Sequence, residues 1–455
     1  MAAPELLSGW GRTSPTLATV HRPDDLEQIV SQVTAPSPRG VIARGLGRSY
    51  GDAAQNAGGD VLSCSKLDRV LAIDVEKGTV TVESGVSLDT LLRVLLPLGW
   101  FPMVIPGTSY VTVGGAIASD IHGKFRHGSF ADYVDRMRIV TPARGAYMLE
   151  PEADANGFWA TSGGMGLTGV VTEATLKLQS VETSRIVCDT ERTNDVDDCM
   201  ERMLERDHEY RYSVAWIDCL ASGGHLGRAV LTRGNHATFD ELPVSDRSTA
   251  REYVPRTLLA APPWIPNGLL NPVTVRAFNE LWFRRAPRTT HRVVEGIKPF
   301  FFPLDSVRDW NRIYGPRGFV QYQFVVPFGS EQVVRTALER FSAARVPTFL
   351  AVLKRFEHDS RSLIGFPMSG WTLALDIPAS PRLAPLLDGL DELVVEAGGR
   401  VYLTKDSRLR PELLAAMYPR LDEWRSTRAA LDPDNLLRSD MDRRLDLSGA
   451  GRRGS

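Results

Sequence analysis

Three glycine-rich stretches carry the plainest chemistry in the chain. The first, Arg44 to Asp52, reads RGLGRSYGD and directly follows the strand-like run Gly40 to Arg44. Gly45, Gly47 and Gly51 open backbone conformations closed to other residues, so amide N–H groups can turn toward phosphate oxygens. The second, Pro106 to Lys124, contains VTVGGAIASDIHGK; Gly107, Gly114 and Gly115 permit close approach of a flat or phosphorylated ligand, and Ser119 adds a hydroxyl donor. The third is SGGMGLTG, Ser162 to Gly169. A dinucleotide-binding Rossmann unit is excluded: the spacing GxGxxxG is off by one, and a polar, glycine-broken stretch follows instead of a helix. Three such loops among short strands are hard to explain as tight turns alone.

A second group of polar residues comes from strand periodicity. Gln321 and Gln323 share a face, as do Thr372, Ala374 and Asp376; Lys354 shares a face with Leu350 and Val352; Lys405 lies just past the last strand. Glutamines and lysines near sheet surfaces are unusual for a core, although solvated faces give the same pattern.

The elements that position these residues are legible in outline. Thr79 to Glu83 alternates as a strand, Ser87 caps a helix carrying Leu88, Leu91, Leu92 and Leu95, and Pro97 and Gly99 stop it. Gly169 to Leu178 is again a strand. The stretch 183–300 is less regular, and 255–275 (PRTLLAAPPWIPNGLLNPVTV) combines proline with bulky apolar residues, with Arg284, Arg285 and Arg288 soon after. That segment is either a loop packed on its domain or an interfacial patch touching lipid. The last third predicts strands at Phe319–Val326, Thr348–Phe356, Thr372–Ile377 and Arg400–Thr404. Helices at Glu331–Phe341 and Leu383–Ala397 complete a ferredoxin-like βαββαβ pattern with one free sheet face.

Composition narrows the function classes. The 455 residues are 43% hydrophobic and 24% charged, an ordinary globular balance. Lys+Arg of 53 against Asp+Glu of 55 leaves a net charge of −2, without the basic footprint of a nucleic-acid binder. Four cysteines show no metal spacing and no disulfide framework, so no metal is expected. No run reaches the roughly 18–20 apolar residues of a membrane span, and the N-terminus shows no secretory signal, so the expectation is a soluble protein.

Taken in order, RGLGRSYGD, VTVGGAIASDIHGK, VQYQFVVP, LKRF, YLTKDSR, AMYPRLDEW and SDMDRRLDL make the chain resemble the vanillyl-alcohol-oxidase-type flavoenzymes. More narrowly, it resembles the flavin subunits of the actinobacterial epimerases that make the arabinose donor. The resemblance runs nearly end to end. It implies an α+β, two-domain flavoenzyme: an FAD-binding domain at 1–183, a substrate-binding domain with an antiparallel sheet at 184–399, and a C-terminal segment, 400–455, returning to the FAD domain. By the same resemblance FAD lies against Ala43, Arg44, Gly45, Leu46, Gly47, Arg48, Ser49, Tyr50, Gly51, Asp52 and Ala53. It further touches Gly107, Thr112, Val113, Gly114, Gly115, Ser119, Asp120, Ile121, His122, Gly169, Val170, Val171 and Tyr402. The first loop offers no histidine or cysteine, so FAD is expected to be non-covalent.

The implied reaction is oxidation of the ribose 2′-hydroxyl of decaprenylphosphoryl-ribose to a ketone, first half of an epimerisation that supplies arabinose for cell-wall arabinan. An NADH-dependent keto-reductase partner would complete it. Lys405 is the leading catalytic candidate, as base or as electrostatic clamp, with His122 orienting substrate. Lys124 and Lys354 would meet the lipid phosphate or sugar, Gln321 and Gln323 the sugar hydroxyls, and Tyr50 the ring edge. Ala374 stands where many mycobacterial members carry a cysteine that nitroaromatic inhibitors capture; an alanine offers no thiolate, so no adduct is expected. The family works at the cell envelope, on the periplasmic side, with peripheral membrane contact; the cytoplasm is the alternative. Competing readings are another sugar-alcohol or aldonolactone oxidase of this fold, and a non-catalytic scaffold.

Overall fold

In the computed structural model, residues 3–255 and 259–450 are described. The chain makes three sheets of size. The first has four strands in the order β1-β2-β4-β3: Ala3–Leu7 (β1), Thr16–His21 (β2), Val41–Arg44 (β3) and Asp60–Ser63 (β4). The second is antiparallel, with Val70–Asp74 (β5), Thr79–Glu83 (β6), Trp100–Pro102 (β7), Val134–Thr141 (β8), Gly145–Leu149 (β9) and Val170–Ser180 (β10). Its order is β5-β6-β10-β8-β9, and β7 pairs with the end of β10. The local signals hold here. Ser87 Oγ accepts from the Thr90 amide at 3.0 Å and starts the helix Leu88–Leu95, whose four buried leucines face the core. Gly99, at φ 82°, turns the chain into β7.

The third sheet has eight strands: Arg185–Thr193 (β11), Tyr212–Ile217 (β12), Ala229–His236 (β13), His291–Gly296 (β15), Phe319–Pro327 (β17), Ala351–Phe356 (β18), Gly370–Pro378 (β19) and Arg400–Val401 (β20). The order is β15-β11-β13-β12-β18-β19-β17-β20, while Leu259–Ala260 (β14) and Val307–Arg308 (β16) form a separate parallel pair. The βαββαβ expectation for the last third is met by β17 to β20 with the helices Glu331–Ala343 and Ala384–Glu396. The expectation of irregularity over 183–300 is corrected: β11, β12 and β13 are full strands that extend the same sheet. One face of it buries Ala215, Ile217, Leu231, Leu353 and Leu373 under the helices Val196–Arg206, Glu331–Ala343 and Ala384–Glu396. The other face turns toward the glycine loops.

The C-terminal residues return to the first sheet. Leu437 bridges to Val41, the Arg444 guanidinium pairs with Asp52 at 2.8 and 2.9 Å, and the Ala57 amide donates to Asp440 at 2.9 Å. Of the 255–275 segment, residues 256–258 lie outside the described residues. The rest holds β14 and opens the helix Pro272–Arg285, capped by Asn271. Among the described residues, no helix is long and apolar enough to cross a membrane.

Candidate active site

The glycine loops and the free sheet face enclose one cavity of about 900 Å³, within the roughly 300–1,000 Å³ typical of ligand pockets. Its first wall is largely main chain. After β3 the chain turns at Gly45, where a Cβ would collide with the Thr112 side chain, and passes through Gly47 at φ 65°. Among the described residues, the amides of Gly45, Leu46, Gly47, Arg48 and Ser49 donate to no other protein group, which leaves a run of N–H donors free for an anion. The loop is braced from outside. Arg44 donates to the Ala54 and Ser8 carbonyls at 2.9 and 2.7 Å, Arg48 lies 3.9 Å from the Trp10 ring centre, and the Tyr50 amide donates to Thr404 O at 3.0 Å.

Thr112 caps the short helix Val113–Ala118, its hydroxyl accepting from the Gly115 amide at 3.2 Å. A Cβ on Gly114 would sit 2.9 Å from Ser84 Cβ, so only glycine leaves this stretch of wall flat. Ser84 Oγ is buried on the same wall without a partner. The Gly107 turn is pinned from the other half of the molecule: Asp305 accepts from Thr108 Oγ1, Ser109 N and Ser109 Oγ at 2.8, 2.8 and 2.9 Å. Free amides, an unpartnered buried hydroxyl and glycine-only surfaces fit the phosphates and flat ring of FAD.

Most of the expected cofactor residues line this cavity: Ala43 through Tyr50, Ala53, Gly107, Thr112, Gly114, Gly115, Ser119, Ile121, His122, Gly169, Val171 and Tyr402. Five do not line it, and each is engaged elsewhere. Gly51 packs against the Asp406 backbone, and Asp52 is held by Arg444. Val113 and Val170 are fully buried in apolar clusters. Asp120, in a left-handed conformation, accepts from Ser360 Oγ, from Ser362 Oγ at 3.2 Å and from the Ala131 amide at 3.2 Å. Its burial raises the carboxyl pKa to about 6. Asp120 thereby ties the turn before His122 to the loop that follows β18.

The second wall is made of side chains. Gln321, Gln323, Leu350, Val352, Lys354 and Ala374 all face inward, as strand alternation predicts, and Lys124 and Lys405 reach in from turns. Lys405 Nζ lies 3.8 Å from the centre of the Tyr50 ring. Gln321 donates to Asp376 Oδ1, while Asp376 Oδ2 is buried without a partner. Burial lowers the Lys405 pKa against the pull of Asp376, and burial raises that of Asp376 against the Gln321 bond and Lys405. Burial, with Lys405 and Lys124 nearby, takes Lys354 down to about 7, and burial takes Lys124 down to about 8. Lys354 donates to Gly123 O at 3.3 Å and Lys124 to Phe300 O.

His122 sits between the two walls. Gln323 Nε2 lies 2.8 Å from His122 Nε2, and Tyr402 donates to Ser119 O at 2.8 Å. With the amide donating to Nε2, the imidazole proton is on Nδ1, a buried atom with no protein partner. Burial, then Lys354 and Lys405, hold the imidazole pKa well below its usual value, so the ring is neutral. The site thus offers one neutral N–H donor and three amines in a common space.

Sequence reasoning missed Ser84 and Asp305, which no motif marks, and the cavity's far end at Trp216 and Val230; Arg285, expected only as part of a basic flank, borders that end too. Asp376 had a signal, since it shares a face with Ala374. All four cysteines are buried, and Cys64, which borders the cavity, has its thiol pKa raised to about 12 by burial. Outside the cavity, His127, Glu357 and His358 bring ligand atoms within 4.8 Å of one another, but Glu357 is already held by Arg126 and, at 3.1 Å, by Arg355.

Residues 16–148 match the FAD-binding domain family. A decaprenylphosphoryl-beta-D-ribose oxidase from Mycolicibacterium smegmatis is 42% identical over 448 residues, 97% of each chain. This chain belongs to that oxidase family. It is an FAD-dependent oxidoreductase. An uncharacterised Streptomyces coelicolor protein is 40% identical over 374 residues, 80% of this chain and 100% of its own. The mitochondrial L-galactono-1,4-lactone dehydrogenase 1 of Oryza sativa subsp. japonica is 31% identical over 186 residues, only 40% of this chain and 31% of its own. Likeness to lactone dehydrogenases therefore stops well short of the whole, whereas likeness to the oxidase family includes the sheet wall.

Proposed function

We propose that the chain oxidises the 2′-hydroxyl of decaprenylphosphoryl-β-D-ribose to the 2′-ketone. The observation that carries this reading is the end-to-end likeness to the mycobacterial oxidase, joined to a cavity whose sheet wall gathers Lys124, Lys354, Lys405 and His122. Bound FAD supplies the acceptor for the hydride from C2′. The residues around it do the rest. Lys124 and Lys354 hold the phosphate, and Gln321 and Gln323 bond the sugar hydroxyls. His122 Nδ1–H orients the ribose. Lys405, partly deprotonated by its burial, accepts the hydroxyl proton and keeps it. The ammonium that results faces the negative charge that builds beside it.

FAD is held without a covalent tether, because no histidine or cysteine stands in the 44–52 loop and Cys64, donating to Leu62 O at 3.6 Å, stays a neutral thiol. Acid precipitation is expected to release all flavin to the supernatant; flavin left on the protein contradicts this. An NADH-dependent reductase is the partner that would take the ketone to the arabinose epimer.

The exposed apolar side chains Leu259, Trp264, Leu269, Val273 and Leu281 stand beside Arg276, Arg284, Arg285 and Arg288 and suit an anionic lipid surface. This surface supports the reading of an enzyme held peripherally on the envelope membrane, and the periplasmic side is the side proposed. Protease added to spheroplasts should cut the chain; protection would place it in the cytoplasm. The reaction itself is tested by anaerobic addition of farnesylphosphoryl-ribose. Bleaching of the flavin absorbance is expected, and an unbleached flavin that responds to an aldonolactone would overturn the proposal.

A further inference from the structure

We propose that the far half of the cavity is a channel for the prenyl tail, floored by the open face of the eight-stranded sheet. This rests on the function proposed above and specifies where its lipid lies. The strands β17, β19, β18, β12 and β13 are neighbours in that order. Their registers set Gln323 opposite Ala374, Ala374 opposite Val352, Val352 opposite Trp216, and Trp216 opposite Val230. Directly opposed residues point to one face, and all five line the cavity. Four strand steps of about 4.8 Å carry this row roughly 19 Å from the ribose end.

The chemistry changes along the row. Its first residue, Gln323, touches His122, and Lys354 lies two positions from Val352 on the same face. From Ala374 onward the floor is apolar. A parallel row runs Val214, Thr232, Thr190. Its two threonine hydroxyls lie 3.3 Å apart and can bond each other, so this pair adds no unpaired hydroxyl to the floor. A sheet face of this kind is ordinarily covered by a helix, as the opposite face is. Here it is left as cavity surface. Trp282 and Arg285, at the end of the helix Pro272–Arg285, border the far end with Pro287, whose carbonyl accepts from the Arg192 amide at 3.0 Å. Trp282 is 45% exposed, so the channel opens next to the apolar, arginine-flanked surface. A phosphate at the lysines and a hydrocarbon along the floor place the headgroup and tail of one lipid in register with the two ends of the row.

The test uses the holoenzyme with geranyl-, farnesyl- and decaprenylphosphoryl-ribose. KM is expected to fall about tenfold or more from geranyl to farnesyl, and then to level off as the tail outruns the floor. Val230→Trp should raise the farnesyl KM about tenfold more than the geranyl KM while the flavin stays bound. Farnesyl phosphate, which has no hydroxyl to oxidise, should quench tryptophan emission in the wild type and less in Trp216→Phe. That arm reads the channel independently of turnover and of the bulkier variant's folding. A KM independent of tail length, or quenching unchanged by Trp216→Phe, overturns the channel while leaving the oxidation reading intact. Quenching without flavin bleaching by any of the three lipids would mean that the channel binds prenyl chains but the oxidation reading is wrong.

Discussion

The two walls of the cavity present different chemistry to a ligand. The glycine-loop wall works with main chain: five free amides from Gly45 to Ser49, and surfaces at Gly45 and Gly114 that no Cβ can share. The sheet wall works with side chains set two residues apart, polar at Gln323 and Lys354 and apolar at Val352, Trp216 and Val230. The lesson is a division of labour. On the proposed reading, changes on the first wall are expected to act on whether the cofactor is present at all, and changes on the second on what the bound cofactor can oxidise.

The largest expected effect tests the first wall. Gly45→Val drives a side chain into Thr112 and should yield a folded, colourless protein without activity. A yellow variant would mean that backbone approach is not what seats the ring. Lys405→Met tests the second wall. The flavin spectrum should persist while flavin reduction slows by about 10²–10³, the usual loss when one charge-stabilising donor is removed. Loss of colour would erase the division between the walls.

A smaller effect is set by pH. In the free protein Lys354 titrates near 7 and Lys124 near 8. Both are charged at low pH and lose their protons as pH rises through that range. Affinity for farnesyl phosphate should therefore weaken by about tenfold between slightly acid and alkaline solution, measured by tryptophan quenching. A flat profile would take the phosphate away from these lysines.

Smallest is Asp52→Ala. Asp52 belongs to the glycine-loop motif but is spent on Arg444. Its loss should lower stability by about 2 kcal/mol, as for hydrogen bonds to a charged group, and leave the flavin spectrum unchanged. Denaturant unfolding measures the first and absorbance the second; a bleached variant would return Asp52 to the cofactor's immediate contacts.

The walls also differ in how far the sequence shows them. The loop wall is local: a strand, a glycine run and a capped helix lie within a few residues, so RGLGRSYGD and VTVGG point to it directly. The polar end of the sheet wall was legible too, because alternation alone puts Gln321 and Gln323 on one face. The strand β11 was not, because charged residues interrupt its alternation. In the fold Asp189 and Glu191 are buried, accepting from Tyr210 at 2.5 Å and from Arg233. The strands β12 and β13 join the sheet through β18, a pairing of residues far apart in the chain that no local pattern shows. The apolar row from Val352 to Val230 follows from strand order and register, which bring together residues more than a hundred positions apart. The pinning of Gly107 by Asp305 is likewise a contact across the whole fold that no nearby motif announces.

The central claim is that C2′ of the ribose meets the cofactor on the sheet wall, beside Lys405. Anaerobic stopped-flow reduction with farnesylphosphoryl-ribose deuterated at C2′ tests it most directly. Flavin bleaching in the wild type should slow on deuteration, and Lys405→Met should slow it further with the flavin still bound. Bleaching at the same rate with and without deuterium, and unaltered in Lys405→Met, would contradict it.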